Sequence, residues 1–150
     1  MKVSIGCDHG GYKLKEEVKA HLLEQGIEVV DFGTNDLNSC DYPEFGAKAA
    51  LAVANGECEK GIVICTTGIG ISIAANKIKG IRCALCSDLT SARLTREHND
   101  ANVLAMGAAI IGNLVALDIV DVFLNTEFSG MEKHARRIAK VAEIEGGLHG

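Results

Sequence analysis

Five short apolar runs rich in β-branched residues recur along this chain, "KVSIG", "IEVVDFG", "GIVIC", "IRCALC" and "NVLAM", and each is followed by a segment with helical spacing. This alternation constrains the fold more than any other feature. The first helical segment, "YKLKEEVKAHLLEQG", sets Leu14, Val18 and Leu22 on one face and stops at Gly26. The others are "EFGAKAALAVANG", "GISIAANKIKG", "LTSARLTREHN" and "NLVALDIVDVFLNTEF". A last helix, over about Met131 to Glu145, follows no strand. Continuous apolar strands are what a sheet covered on both faces requires. Five βα units therefore predict a parallel sheet with helices on both sides, joined by right-handed crossovers.

The expected architecture is an α/β, Rossmann-like three-layer α/β/α sandwich with a five-stranded parallel sheet and an extra C-terminal helix. A length of 150 residues fits a single domain, 1–150, and a chain of that size hides roughly 70% of its unfolded surface. The net charge of −5, without a basic block, argues against nucleic acid as a partner. No apolar run approaches the roughly 20 residues of a membrane span, so no membrane partner is expected. The apolar stretch in "MKVSIGCDHGG" is too short for a signal peptide, which predicts a cytoplasmic protein. Six cysteines in such a chain read as free thiols. Cys83 and Cys86 lie three apart in a strand, so they face opposite sides and read as small core residues rather than joint metal ligands.

Ligands of such folds bind at the carboxyl ends of the strands. Two of those ends are unusual, "CDHGG" after the first strand and "CTTGIG" after the third. Where strands one and three are neighbours, these loops meet. Cys65 ends a strand and precedes a helix N-terminus, whose free amides favour a thiolate and can hold an oxyanion. Gly68 and Gly70 allow a turn and a close backbone approach. A buried cysteine before a Gly-rich turn is the competing reading, and this segment alone does not separate the two. Motifs with similar letters do not fit. A C-x5-R phosphatase loop would need arginine where Ile71 stands, and no Walker motif is present. A dinucleotide fingerprint lacks its third glycine, although Asp88 could serve as a ribose-binding carboxylate.

Asp8 and His9 stand side by side at a strand end, where ligand contact competes with a plain helix cap. His98 and Asn99 lie in the loop "REHNDAN", a weak signal by itself. His21 reads as structural, and His149 lies in the tail. Lys133 and Arg137 share one helix face, where like charges repel unless an anion lies between them; a solvated basic face is the plainer alternative.

Taken in order, "GCDHGGYKLK", "DFGT", "DYPEF", "GIVICTTGIGISIAANKIKGIR", "TREHNDANVLAMG" and "KHARRI" resemble type B ribose-5-phosphate isomerase, of the ribose/galactose isomerase family, from Lys2 to about Val141. The resemblance implies an aldose–ketose isomerase that works through an enediolate, with no metal and no organic cofactor. It implies Cys65 as general base and Thr66, Thr67, Gly68, Ile69 and Gly70 as an anion hole, Thr67 among the catalytic set. His98 is implied to help open the furanose ring. Asp8, His9, Tyr42 and Asn99 are implied as substrate contacts, and Lys133 and Arg137 as the phosphate grip. The family assembles as homodimers or tetramers. His98 should lie at the amino edge of the sheet, whereas Asp8 and Cys65 lie at the carboxyl edge, so shared active sites between subunits are expected.

Three positions depart from the family pattern. Thr66 stands where glycine is usual, Lys133 where arginine is usual, and Ala109 where "G-x-R-x-x-G" would place an arginine after the fifth strand. Ribose 5-phosphate is the expected substrate. A six-carbon sugar phosphate of the allose 6-phosphate kind, or a less phosphorylated aldose, is the alternative. A nucleotide-binding module without catalysis is the alternative from a different class.

Overall fold

The computed structural model describes residues 1–148. Its elements run β1 (Lys2–Cys7), α1 (Tyr12–Glu24), β2 (Glu28–Asp31), α2 (Tyr42–Ala54), β3 (Lys60–Cys65), α3 (Ile69–Ala75), β4 (Cys83–Leu85), α4 (Leu89–Asn99), β5 (Val103–Gly107), α5 (Asn113–Asn125) and α6 (Glu132–Glu143), with a π-helical turn at Ile144–Leu148. The five strands form one parallel sheet in the order β2-β1-β3-β5-β4. The expected architecture is present, and β1 lies beside β3. In register, Cys7 faces Ile64 and Cys65 faces Gly107.

Strand alternation builds two cores. Along β3, Ile62 and Ile64 enter one core with Leu14, Val18 and Leu22 of α1 and Ile119 and Phe123 of α5. Val63 and Cys65 enter the other, with Ala49 and Ala50 of α2 and Ile71 and Ala75 of α3. Truncating a wholly buried side chain such as Phe123 to alanine costs about 3–5 kcal/mol at sites of this kind. Cys86 packs in the first core and Cys83 against the second, on opposite faces as their spacing predicts. Burial pushes their thiols up to about 11 and about 12, so both stay protonated.

Several elements are shorter than the sequence pattern. β4 spans three residues, and α3 stops at Ala75. The reason is Asn76, whose side chain exchanges two hydrogen bonds with the Cys83 backbone (2.8 and 2.9 Å). A side chain thus takes a place that a longer strand would fill. His98 and Asn99 are not in a loop but in the last turn of α4, which ends at Asp100 in the left-handed region (φ 44°). Asp88 is not a free carboxylate at a strand end. It caps α4, accepting hydrogen bonds from the Ser91 N–H (2.7 Å) and hydroxyl (2.8 Å), and these hold its carboxyl below the usual range. His21 bonds Asp121 across α1 and α5 at 2.8 Å, a structural role. His149 lies outside the described residues.

Candidate active site

Two strand ends build the carboxyl-edge half of the site. After β3, the chain passes Thr66 and Thr67 and turns at Gly68 (φ 76°), the N-cap of α3. A Cβ at Gly68 would meet Leu85 and the Met106–Gly107 backbone, so both the conformation and the space demand glycine. The turn brings the Gly68 N–H to 3.1 Å from Cys65 Sγ, where it donates. Cys65 is only 5% exposed. The Ile69 N–H donates to Thr67 Oγ1 (3.2 Å), so two of the turn's amides are held internally. The β5 loop braces the turn: the Ala108 and Ala109 N–H groups donate to the Cys65 and Thr66 carbonyls, each at 2.9 Å.

The β1 end lies alongside. Asp8 is buried and accepts from the Gly11 N–H at 3.1 Å; the N-cap of α1 is Gly11, not Asp8. The Thr66 side chain reaches this loop, since a Cβ at Gly10 would collide with Thr66 Oγ1. His9 Nδ1 accepts from the Cys40 N–H at 3.2 Å, which leaves Nε2 to carry the proton of the neutral ring. A cleft of about 410 Å³ opens here, lined by Asp8, His9, Cys40, Asp41, Tyr42 and Glu44. The Tyr42 ring lies over Gly70, where an added Cβ would stand 2.5 Å from Cζ. Cys7, one residue before Asp8, is no rival base, because burial pushes its thiol up to about 12.

The other predicted residues meet elsewhere. His98 and Asn99 of α4 and Lys133 and Arg137 of α6 line a separate cleft of about 340 Å³. Parallel topology puts the C-terminal end of α4 at the amino edge of the sheet, and a five-residue strand separates the edges by roughly 17 Å. One chain therefore does not bring His98, Asn99, Lys133 and Arg137 together with Asp8, His9 and Cys65. The cleft also holds His134, which sequence reasoning missed. Its ring stacks on His98 (centroids 4.3 Å apart), and its Nδ1 lies 2.8 Å from Ser129 Oγ. Loss of solvent, with His98, Lys133 and Arg137 nearby, holds the His134 imidazole below its usual range. Its place inside "KHARRI" was the available signal. Cys40 was also missed, and nothing local marks it. Ala109 is exposed beside a third cleft, of about 290 Å³, shared with Gly10, Lys13, Glu17 and Asn113. Among the described residues, no group of three or more His, Cys, Asp or Glu could hold a metal ion.

A thiol under a backbone donor lies at the end of β3, and a carboxylate and an imidazole follow the end of the neighbouring β1; these are residue types able to move protons. Comparison with known proteins gives the family. A model described as "Ribose/Galactose Isomerase" matches residues 3–141. Ribose-5-phosphate isomerase B of Escherichia coli is 49% identical over 144 residues, 96% of each chain. Galactose-6-phosphate isomerase subunit LacB of Clostridium acetobutylicum is 41% identical, over 96% of this chain and 83% of the relative. A solved structure of Clostridium thermocellum ribose-5-phosphate isomerase B superposes with a TM-score of 0.96 at 57% identity, covering 97% of this chain and 98% of the other. The chain belongs to the ribose/galactose isomerase family and is a sugar-phosphate isomerase of the aldose–ketose type.

Proposed function

We propose that this chain interconverts ribose 5-phosphate and ribulose 5-phosphate, with the Cys65 thiolate as the base that carries a proton between C2 and C1. The observation that carries this reading is the Gly68 N–H aimed at Cys65 Sγ on a turn abutting the Asp8–His9 loop. Cys65 removes the C2 proton of the open-chain aldose and returns it to C1 of the enediolate, while the O2 hydroxyl proton passes to O1, so that C2=O forms as C1=O is lost. The Thr66, Thr67 and Gly70 amides, which are not spent inside the turn, stabilise the negative charge that develops on oxygen. Asp8, the Nε2 side of His9 and Tyr42 contact the sugar. His98 assists ring opening, Asn99 contacts the sugar, and Lys133 and Arg137 grip the phosphate.

These roles require two subunits, and charge supports their meeting. The carboxyl-edge cleft carries Asp8, Asp41 and Glu44, whereas the amino-edge cleft carries His98, Lys133, His134 and Arg137. A homodimer that sets one cleft against the other assembles two complete sites. Ile69, Ile73, Leu85 and Leu89 lie exposed on α3, β4 and α4 and offer apolar area for that contact. The six free cysteines fit a reducing cytoplasm. The test is ketose formation from a panel of aldose phosphates and free aldoses, with Cys65→Ala as control. Turnover that survives in that variant would remove Cys65 from the role of base. A six-carbon sugar phosphate is the second reading, favoured by the open cleft at Ala109, where Lys13 adds a positive charge. Turnover of the longer sugar at the expense of ribose 5-phosphate would select it.

A further inference from the structure

Among the described residues, a lysine is one of the largest wholly buried side chains. Lys15 lies on the packed face of α1 with Leu14 and Val18, and its side chain is 0% exposed. Its Nζ donates to Asp31 Oδ2 at 2.9 Å and lies 3.0 Å from Glu16 Oε1. A leucine or methionine would fill the same volume without the desolvation penalty of a buried charge. Burial opposes both charges, yet their mutual hydrogen bond and their other partners hold the ammonium above and the carboxyl below their usual ranges. Both groups therefore stay ionised.

Asp31 ends β2 and starts the segment that reaches the site. Its Oδ1 accepts from the Gly33 N–H at 2.9 Å. Gly33 then runs flush against Cys7, for an added Cβ would stand 2.8 Å from both Cys7 N and Sγ. The next amide, Thr34 N–H, donates to the Cys7 carbonyl at 3.0 Å. Cys7 is followed directly by Asp8 and His9, and the far end of the same segment supplies the Cys40 N–H to His9 Nδ1. The segment thus touches the β1 end twice, and its root is tied to the buried ammonium.

We propose that the Lys15–Asp31 ion pair is a positioning device, fixing the segment 32–41 against Cys7 so that Asp8 and His9 are held in place and His9 keeps its proton on Nε2. The proposal rests on the isomerase reading for its effect on turnover, but its spectroscopic signature needs no substrate. The experiment compares full-length Lys15→Met and Lys15→Arg with the natural protein, all shown folded by circular dichroism. Two readouts are used: kcat/KM on ribose 5-phosphate, and the His9 ring tautomer from long-range proton–nitrogen NMR of ¹⁵N-histidine-labelled protein. The natural protein is expected to show a single His9 tautomer, protonated at Nε2. Lys15→Met is expected to show mixed tautomers and to lose about a hundredfold in kcat/KM, as displacements of about 1 Å do. Lys15→Arg is expected to restore the single tautomer and most of the activity. If Lys15→Met does not fold, Asp31→Asn, which neutralises the partner at nearly constant volume, carries the same expectations. A folded variant with an unchanged His9 signal overturns the proposal, even with lower activity, because that loss is then merely structural. Failure of the natural protein to isomerise any aldose phosphate sinks the functional reading and leaves the His9 test intact.

Discussion

The two clefts that divide the site residues differ in how they are held. Beside the carboxyl-edge cleft, the turn that follows β3 is held by backbone. Cys65, the Gly68 turn and the β5 loop interlock through amide hydrogen bonds at 2.9–3.1 Å, with no room for a Cβ at Gly68 or Gly107. The amino-edge cleft is built from side chains on α4 and α6. There the charged groups Lys133 and Arg137 stay exposed, and only His134 of α6 is buried. The difference matches the two tasks proposed for them. Proton transfer tolerates little displacement and suits rigid turns. Phosphate binding needs charge within reach, which flexible side chains supply.

The largest expected effect comes from the rigid half. Cys65→Ala should leave the circular dichroism spectrum unchanged and lower kcat by about 10²–10⁴-fold, the usual worth of a positioned acid–base group. Steady-state kinetics with an equal fold of residual activity in the His98→Asn protein would erase the contrast between the halves. The comparison sharpens when the two inactive proteins are mixed. If sites are shared across a two-fold dimer, one site in each mixed dimer is intact, so about a quarter of natural activity should return after subunit exchange. No recovery in exchanged, sedimentation-verified dimers would place both halves of a site in one subunit.

Smaller effects belong to the charged half. If Arg137 grips the phosphate as proposed, Arg137→Ala removes a charge-assisted bond of about 1.5–3 kcal/mol, so KM for ribose 5-phosphate should rise about tenfold to a hundredfold with kcat little changed. Conversely, Ala109→Arg should lower that KM, because it adds a uniform binding interaction in a cleft with room for it. A fall in kcat instead would mean that the cleft serves a longer substrate.

How much of this was legible in the sequence follows from the same contrast. The carboxyl-edge half was readable because turns need glycine and strand ends need polarity, so "CDHGG" and "CTTGIG" stand out locally. The separation of His98 from Cys65 was readable too, because a residue at the end of a helix lies at the opposite edge from a strand end. Cys40 was not readable, since it reaches His9 through its backbone N–H across 31 positions, and any residue type except proline could donate that bond. Lys15 carried no signal: nothing in "YKLKEE" marks a buried lysine, and only the tertiary partner Asp31 reveals the buried charge. His98 and Asn99 looked like loop residues because the left-handed cap at Asp100, not a glycine, ends their helix.

The smallest effect tests whether the amino-edge cleft is tuned at all. His134 sits against His98 with Lys133 and Arg137 around it, Glu97 of α4 supplies the opposing charge, and its imidazole titrates below its ordinary value of 6.5. The unfolded chain then binds a proton at a higher pH than the native protein does. Stability linked to this group is present above about pH 6.5 and is lost as the pH falls from there toward the lowered native value. Urea midpoints of the natural protein and His134→Gln, measured at pH 8 and pH 5.5, isolate the contribution, because every other acid-sensitive group except the His98 pairing is common to both. The natural protein should lose more of its midpoint on acidification than the variant does. Parallel losses would mean that the stacked imidazoles carry no linked proton and that this cleft is as indifferent to pH in the relevant range as a simple solvated basic face. A bound phosphate, by supplying negative charge beside Lys133 and Arg137, should shrink the difference in part, since it offsets the repulsion that adds to desolvation in lowering the imidazole.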